Sequence, residues 1–171
     1  CGDVLGMVIR SDFGFIPFTE YLKWISEDTR TIGIVTQPFD KSLVRRVDRP
    51  TVDKCRVLTN KLVDKLQNFL PSATIEIHNG INDTKPLTYA RLAMADQSFT
   101  TISSFGIFPV VGGFGQGYFQ IQNAQNSFSN YLSSIYPDKL YMMEAPFTAS
   151  KTINRWLKEE GFDKVMEWLE Y

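Results

Sequence analysis

The chain has two cysteines, one histidine and no apolar run approaching the ~20 residues that span a bilayer. Two cysteines, Cys1 and Cys55, are too few for a disulfide framework or a zinc site. With His78 as the lone histidine, there is no His/Cys/carboxylate cluster for a metal. Nor is there a Ser–His–Asp spacing or a P-loop. The net charge of −1 rules out a broad basic footprint for nucleic acid or an anionic membrane surface. Internal repeats, low-complexity runs and linkers are absent as well. The Gly-rich run Gly112-Gly113-Phe114-Gly115-Gln116-Gly117 is not a dinucleotide fingerprint. Tyr118 stands where the last glycine of that motif belongs, and no good helix follows. Turn and tight packing is the better reading of those glycines. The chain opens at Cys1 rather than Met and is expected to be cut from a longer polypeptide, so a missing targeting segment says nothing of compartment.

What is present describes a folded domain. At 171 residues, with 43% hydrophobic and 22% charged side chains, the chain fits one globular domain with a real core. Thirteen Phe, seven Tyr and three Trp suit a core of large side chains or a site that stacks on rings. Cys55 falls on the apolar face of a helix, as a small core residue would. The sequon Asn82-Asp83-Thr84 matters only in a luminal or secreted protein.

Periodicity then assigns the elements. Phe18, Tyr21, Leu22 and Ile25 share one helical face after Pro17. Thr31–Thr36 reads as a buried strand that Gln37-Pro38-Phe39-Asp40 stops. Lys41, Arg45, Arg46 and Arg49 form a basic stretch, either a solvated edge or a patch facing a phosphate. Thr51 can cap a long helix with the apolar face Val52, Cys55, Leu58, Leu62, Leu66 and Phe69, ended by Pro71. Ala73–His78 is the next strand. Asn82-Asp83-Thr84 can start a helix with Leu87, Ala90, Leu92, Ala93 and Met94 on its apolar face. Ser98–Ile102 reads as a strand buried on both faces. Ser103-Ser104-Phe105-Gly106 follows, opening onto a helix start whose extension Pro109 disfavours. Residues 119–136 are polar and read as loop, with a short helix near Ser129–Ile135. Lys139–Met143 is a strand. Two terminal amphipathic segments, Ser150–Glu160 and Asp163–Glu170, close the chain.

Strand alternating with helix predicts an α/β fold, a Rossmann-like sandwich with a mostly parallel sheet. Ile34, Val35, Ile75, Ile77, Phe99 and Ile102 are expected to be buried on adjacent strands. Ligands of such sheets sit beyond the carboxyl ends of the strands. That rule selects Thr36–Asp40, His78–Thr84, Ser103–Gly106, Glu144–Thr148 and the turn at Gly2-Asp3. The crest is polar. The Ser103 and Ser104 hydroxyls and the first free N–H groups of a helix would converge on an anion, or Ser104 is simply a helix cap. His78 and Asn79 suit a purine edge, or His78 makes an ordinary hydrogen bond. The pattern suits a phosphate-bearing ligand such as a nucleotide.

In their order, three stretches resemble the fucosyltransferase superfamily. Cys1-Gly2-Asp3 looks like the tail of its His-x-Arg-x-Gly-Asp motif. Ile32-Gly-Ile-Val-Thr-Gln-Pro-Phe-Asp40 is similar to the second motif, and Asp96-Gln-Ser-Phe-Thr-Thr-Ile-Ser-Ser-Phe105 to the third. Together they cover roughly residues 1 to 112. The resemblance implies the C-terminal, donor-binding half of a GT-B fold in an inverting, metal-independent glycosyltransferase. Its nucleotide-sugar donor would be GDP-fucose, with no further cofactor, and its acceptor a glycan or glycoprotein. It implies Ser103, Ser104 and Phe105 at the diphosphate, His78 or Asn79 near guanine, Gly2 and Asp3 in the first turn, and Thr36 and Asp83 along the donor site. It also implies a missing N-terminal domain, no nucleic-acid or membrane contact from this segment, and a Golgi or secretory-lumen location. The family's phosphate-binding Arg and its His would precede Cys1, so the isolated chain is expected to be inactive. Pro109 and the Gly-rich run depart from the regular helix common after the third motif, which leaves a different donor sugar open. Competing readings are a nucleotide-binding domain of another class and a non-catalytic carbohydrate-binding module using residues 105–119.

Overall fold

The computed structural model describes residues 17–36, 38–43, 52–79, 84–100, 104–120, 131–132, 134–143, 155–156 and 161–170. The elements that can be bounded among them are, in order, α1 (Phe18–Leu22), β1 (Thr31–Val35), α2 (Val52–Phe69), β2 (Thr74–His78), α3 (Lys85–Met94), β3 (Gln97–Thr100), α4 (Ser104–Gly112), β4 (Gln116–Gln120), β5 (Leu140–Met143) and α5 (Phe162–Glu170). Every strand pairing among the described residues is parallel, as the alternation predicts. The fold is a Rossmann-like α/β sandwich.

Strand alternation sorts side chains onto two faces. On the first, Ile32 and Ile34 of β1, Phe99 of β3, Tyr118 of β4 and Met143 of β5 join Tyr21 of α1, Leu58, Leu62 and Leu66 of α2, and Val165 and Leu169 of α5 in one core. On the second, Ile107 and Val110 of α4 pack against Phe119 and Leu140. Helices therefore cover both faces, the arrangement that parallel strands require.

Several expectations need correction. Among the described residues the strands pair in two groups, β1 with β2, and β3, β4 and β5 in that order. Ile34, Val35 and Phe99 are buried as expected, but Ile77, on β2 at the outer edge, is 36% exposed. Phe69 lies at the exposed end of α2, and Leu70 takes the buried position there. The α3 helix forms where expected, with Thr84 accepting from the Leu87 N–H at 3.4 Å, yet none of its residues is buried. Ile102, and residues 150–154 and 157–160 of the segment Ser150–Glu160, lie outside the described residues.

The stretch after β3 departs most from expectation. Pro109 does not end α4, which runs on to Gly112. Proline there forfeits one hydrogen bond, to the Phe105 carbonyl, and crowds that carbonyl. Burial of Ile107 and Val110 on the sheet offsets this. At the helix's end the Lys139 ammonium donates to the carbonyls of Val111, at 2.8 Å, and Gly113, a cation where the helix dipole favours one. Residues 116–120, expected to be turn and loop, are β4, the middle strand of its sheet. The glycines beside it do serve tight packing. A Cβ on Gly115 would strike the backbone of Ala95 and Asp96, and one on Gly117 would strike Val110. Cys55 is fully buried, as a core residue should be, but it is disulfide-bonded, which its isolated position in the sequence did not suggest. The sequence's other cysteine, Cys1, lies outside the described residues.

Candidate functional site

Parallel strands place all their carboxyl ends on one rim. On β1 and β2 that rim holds Thr36, His78 and Asn79. The Thr36 N–H donates to the His78 carbonyl at 2.9 Å, which carries the pairing one residue past β1. Thr36 is 5% exposed, and its hydroxyl oxygen is buried with no hydrogen-bond partner among the described residues. A hydroxyl in that state costs free energy unless something not part of the folded chain completes it.

On the other sheet, β3 leads through a short connection into α4, whose first residue is Ser104. α4 therefore begins beyond the carboxyl end of β3, and the N–H groups of its first turn have no intrahelical partners. Phe105 is the second residue of α4. Gly2, Asp3, Asp83 and Ser103 lie outside the described residues, as does Glu144–Thr148. The structure thus joins Thr36, His78 and Asn79 at the end of the β1–β2 pair and puts Ser104 and Phe105 in α4, the helix that follows β3.

Of the basic stretch, only Lys41 lies among the described residues. Lys41 is engaged by Asp53 at 2.5 Å, and that ion pair holds the Asp53 carboxyl below its usual range. Residues 44–50, with the three arginines, lie outside the described residues. Beside it, the Ser42 hydroxyl and N–H both donate to Asp40 and lower its carboxyl in the same direction.

A cleft of about 710 Å³ opens along the second face of the β1–β2 sheet, and sequence reasoning did not find it. Gly33, Val35, Glu76 and His78 line one side, Gln97–Phe99 another, and Arg91, Leu92 and Met94 of α3 close it above. Of the expected rim residues, His78 lines it too. Glu76 and His78 are two apart on β2 and so share a face; His78 Nε2 lies 3.4 Å from Glu76 Oε2, an ion pair whenever the ring is protonated. Gly33 in the paired strand leaves room for the imidazole, since a Cβ there would come within 3.3 Å of its ring. The signal was present in Thr-Ile-Glu-Ile-His, where polar residues alternate with isoleucine, and in a glycine within the neighbouring strand. Arg91 brings a cation of α3 to this cleft.

Among the described residues no helix is long and apolar enough to cross a membrane. Comparison of the chain with protein-family models, with curated proteins and with solved structures finds no match.

Proposed function

We propose that this domain binds a nucleoside diphosphate sugar at the strand rim, as the donor half of an inverting, metal-independent glycosyltransferase of fucosyltransferase type. GDP-fucose is the donor that the resemblance of its three motifs implies. The observation that carries the reading is the passage from β3 into α4 at Ser104. A helix N-terminus with a hydroxyl beside it is a site for phosphate oxygens, because its N–H groups lack intrahelical partners and the dipole favours negative charge. His78, Asn79 and the buried Thr36 hydroxyl supply polar groups further along the rim, where a nucleoside would lie. The acceptor, a glycan or glycoprotein, would be met together with an N-terminal domain. The disulfide on Cys55 suits an oxidising compartment, in keeping with a secretory-lumen location.

The test is calorimetric titration of the chain with GDP, UDP, ADP and fucose, repeated on Ser104→Ala. A hydrogen bond to a charged group is worth roughly 1.5–3 kcal/mol, so the substitution should weaken GDP binding about tenfold or more. Preference for ADP would turn the reading toward another nucleotide-binding class. An unchanged dissociation constant in a folded Ser104→Ala variant would place the diphosphate elsewhere.

A carbohydrate-binding module is the second reading. Phe108 and Phe114, 62% and 85% exposed, present rings to solvent on one stretch of chain. Heat release with simple sugars but with no nucleotide would favour it.

A further inference from the structure

The two ends of the strands differ in chemistry. The rim already considered lies at their carboxyl ends. At their amino ends the connections that enter the strands are all among the described residues: 23–30 before β1, 70–73 before β2, 95–96 before β3, 113–115 before β4 and 136–139 before β5. Gln97 opens β3, Gln116 opens β4, and Tyr141 is the second residue of β5, in register with Tyr118. Period-two alternation puts Gln116 on the same face of β4 as Tyr118.

Their polar tips form one chain of hydrogen bonds. Gln97 Nε2 donates to the Trp24 carbonyl at 3.3 Å and to the Tyr118 hydroxyl at 3.2 Å, which leaves the Gln97 carbonyl oxygen as the acceptor it can offer. The Tyr118 hydroxyl donates to Gln116 Oε1 at 2.9 Å. Gln116 Nε2 then donates to the Tyr141 hydroxyl at 3.4 Å, and that hydroxyl to the Asp138 carbonyl at 3.3 Å. These last two bonds are exposed and long, so a ligand hydroxyl can take the place of either. Beside the chain, the Trp24 indole leans on Tyr118 with centroids 5.6 Å and planes 52° apart, and it is 38% exposed. A ring already held from one side loses little freedom on binding.

Charge selects the ligand. The four side chains Gln97, Gln116, Tyr118 and Tyr141 are neutral, and amides and phenols both donate and accept. Residues 97–137 contain no Asp, Glu, Lys, Arg or His in a chain that is 22% charged, although Ser, Thr, Asn and Gln abound there. Two cations of the bordering turns are engaged, Lys23 by Glu20 at 2.6 Å and Lys139 by the carbonyls of Val111 and Gly113. Asp96 and Asp138, exposed in the same turns, repel anions. Nucleic acid and anionic lipid need the opposite sign. One exposed ring beside a polar network is also too little for a protein partner, which covers about 800 Å² a side. What fits is a ligand with many hydroxyls, an apolar face and no charge. A pyranose ring is such a ligand: its C–H face covers an indole, and its hydroxyls exchange hydrogen bonds with amides and phenols.

We propose that the amino end of β3, β4 and β5 is a non-catalytic binding site for an uncharged glycan, with Trp24 as its platform and Gln97, Gln116 and Tyr141 as its hydrogen-bonding groups. It lies a strand's length from the rim, about 15 Å. It therefore stands whether or not a nucleotide binds there, and it is separate from the stretch 108–114.

The test is titration calorimetry of the protein with cellohexaose, maltohexaose and chitin hexasaccharide, and with hexagalacturonate as the anionic control. At least one neutral hexasaccharide should bind, and hexagalacturonate should not. Trp24→Ala should weaken that binding about tenfold or more, and Trp24→Phe, which keeps a ring, should restore most of it. Gln116→Ala should weaken it about threefold or more. If Trp24→Ala fails to fold, Gln116→Ala at the exposed start of β4 decides. Glycan binding without GDP binding would defeat the rim reading and leave this one standing. Failure of all three neutral hexasaccharides at millimolar concentration overturns the proposal, as does affinity unchanged by both alanine substitutions. Binding lost in Phe114→Ala but kept in Trp24→Ala would move the glycan to the stretch 108–114, against the proposal. Equal or tighter binding of hexagalacturonate would also end it.

Discussion

Phe99 and Tyr118, in register on neighbouring strands, stack with ring centroids 4.7 Å apart and planes 15° from parallel. Tyr141 continues the stack from β5 at 5.2 Å, and Tyr21 and Trp24 close on it from α1 and the turn after it. Gln97 donates to the Tyr118 hydroxyl at 3.2 Å, which in turn donates to Gln116 at 2.9 Å. The rings thus join three strands to the α1 region, and the polar tips are satisfied at the margin.

Tyr118→Ala should cost about 3–5 kcal/mol, the range for emptying a buried aromatic site. Tyr118→Phe keeps the stack and loses only the hydroxyl, so about 1 kcal/mol is expected. Urea denaturation midpoints of the two variants measure this. Equal losses would mean that the hydrogen bonds, not the rings, hold the strands together.

The glycines around β4 separate packing from flexibility. A Cβ on Gly115 would meet backbone carbonyl oxygens of Ala95 and Asp96, which cannot swing aside, whereas one on Gly112 meets nothing within 4 Å. Gly115→Ala should destabilise by roughly 1–3 kcal/mol through overpacking. Gly112→Ala should stabilise by about 0.4–1 kcal/mol, by restricting the unfolded chain. Thermal melts of both variants decide it, and similar shifts in the two would refute the packing account.

Those same residues show where the sequence could be read and where it could not. β1, α2, β2, α3 and β5 were legible because their apolar residues recur at strand or helix period, and the parallel α/β class followed from their alternation. β4 was hidden: Gln116-Gly117-Tyr118-Phe119-Gln120 has two apolar residues and a glycine, and glycine in a strand reads as turn. It is a strand because Gly117 admits Val110 of the covering helix, a tertiary fact that no local pattern carries. Pro109 misled for the same reason, since its cost is local and the burial that offsets it is not. At the rim, Thr36 and His78 followed from the strand-end rule alone. The cleft did not, because it depends on how β1, β2, β3 and α3 come together in space.

Tyr21 sets an alkaline limit. It is 3% exposed, and burial pushes its phenol well above the ordinary tyrosine value. Its contribution is complete below the unfolded pKa of about 10. Above that pH the unfolded chain releases the proton while the folded chain keeps it, so stability falls as pH rises. Melting temperature should drop steeply beyond about pH 10 in the native chain and less steeply in Tyr21→Phe. Parallel curves would show that the transition belongs to other groups. Tyr118, raised in the same direction by burial and opposed by the Gln97 hydrogen bond, contributes a remaining slope.

Thr36 couples stability to binding. Its hydroxyl is buried without a partner among the described residues, at the rim and beside the end of β2. An unsatisfied buried hydroxyl costs about 1–3 kcal/mol, and Val has nearly the same shape without it. Thr36→Val should therefore raise the stability of the unliganded chain by about 1 kcal/mol. If the hydroxyl is kept for the nucleotide, the same change should weaken binding about fivefold to tenfold, the loss of roughly 1–1.5 kcal/mol for one hydrogen bond. A stabler protein that binds less well would identify Thr36 as a group held ready for ligand. A stabler protein with unaltered nucleotide affinity would take Thr36 out of the donor site. A less stable one would show that the hydroxyl is already satisfied within the fold.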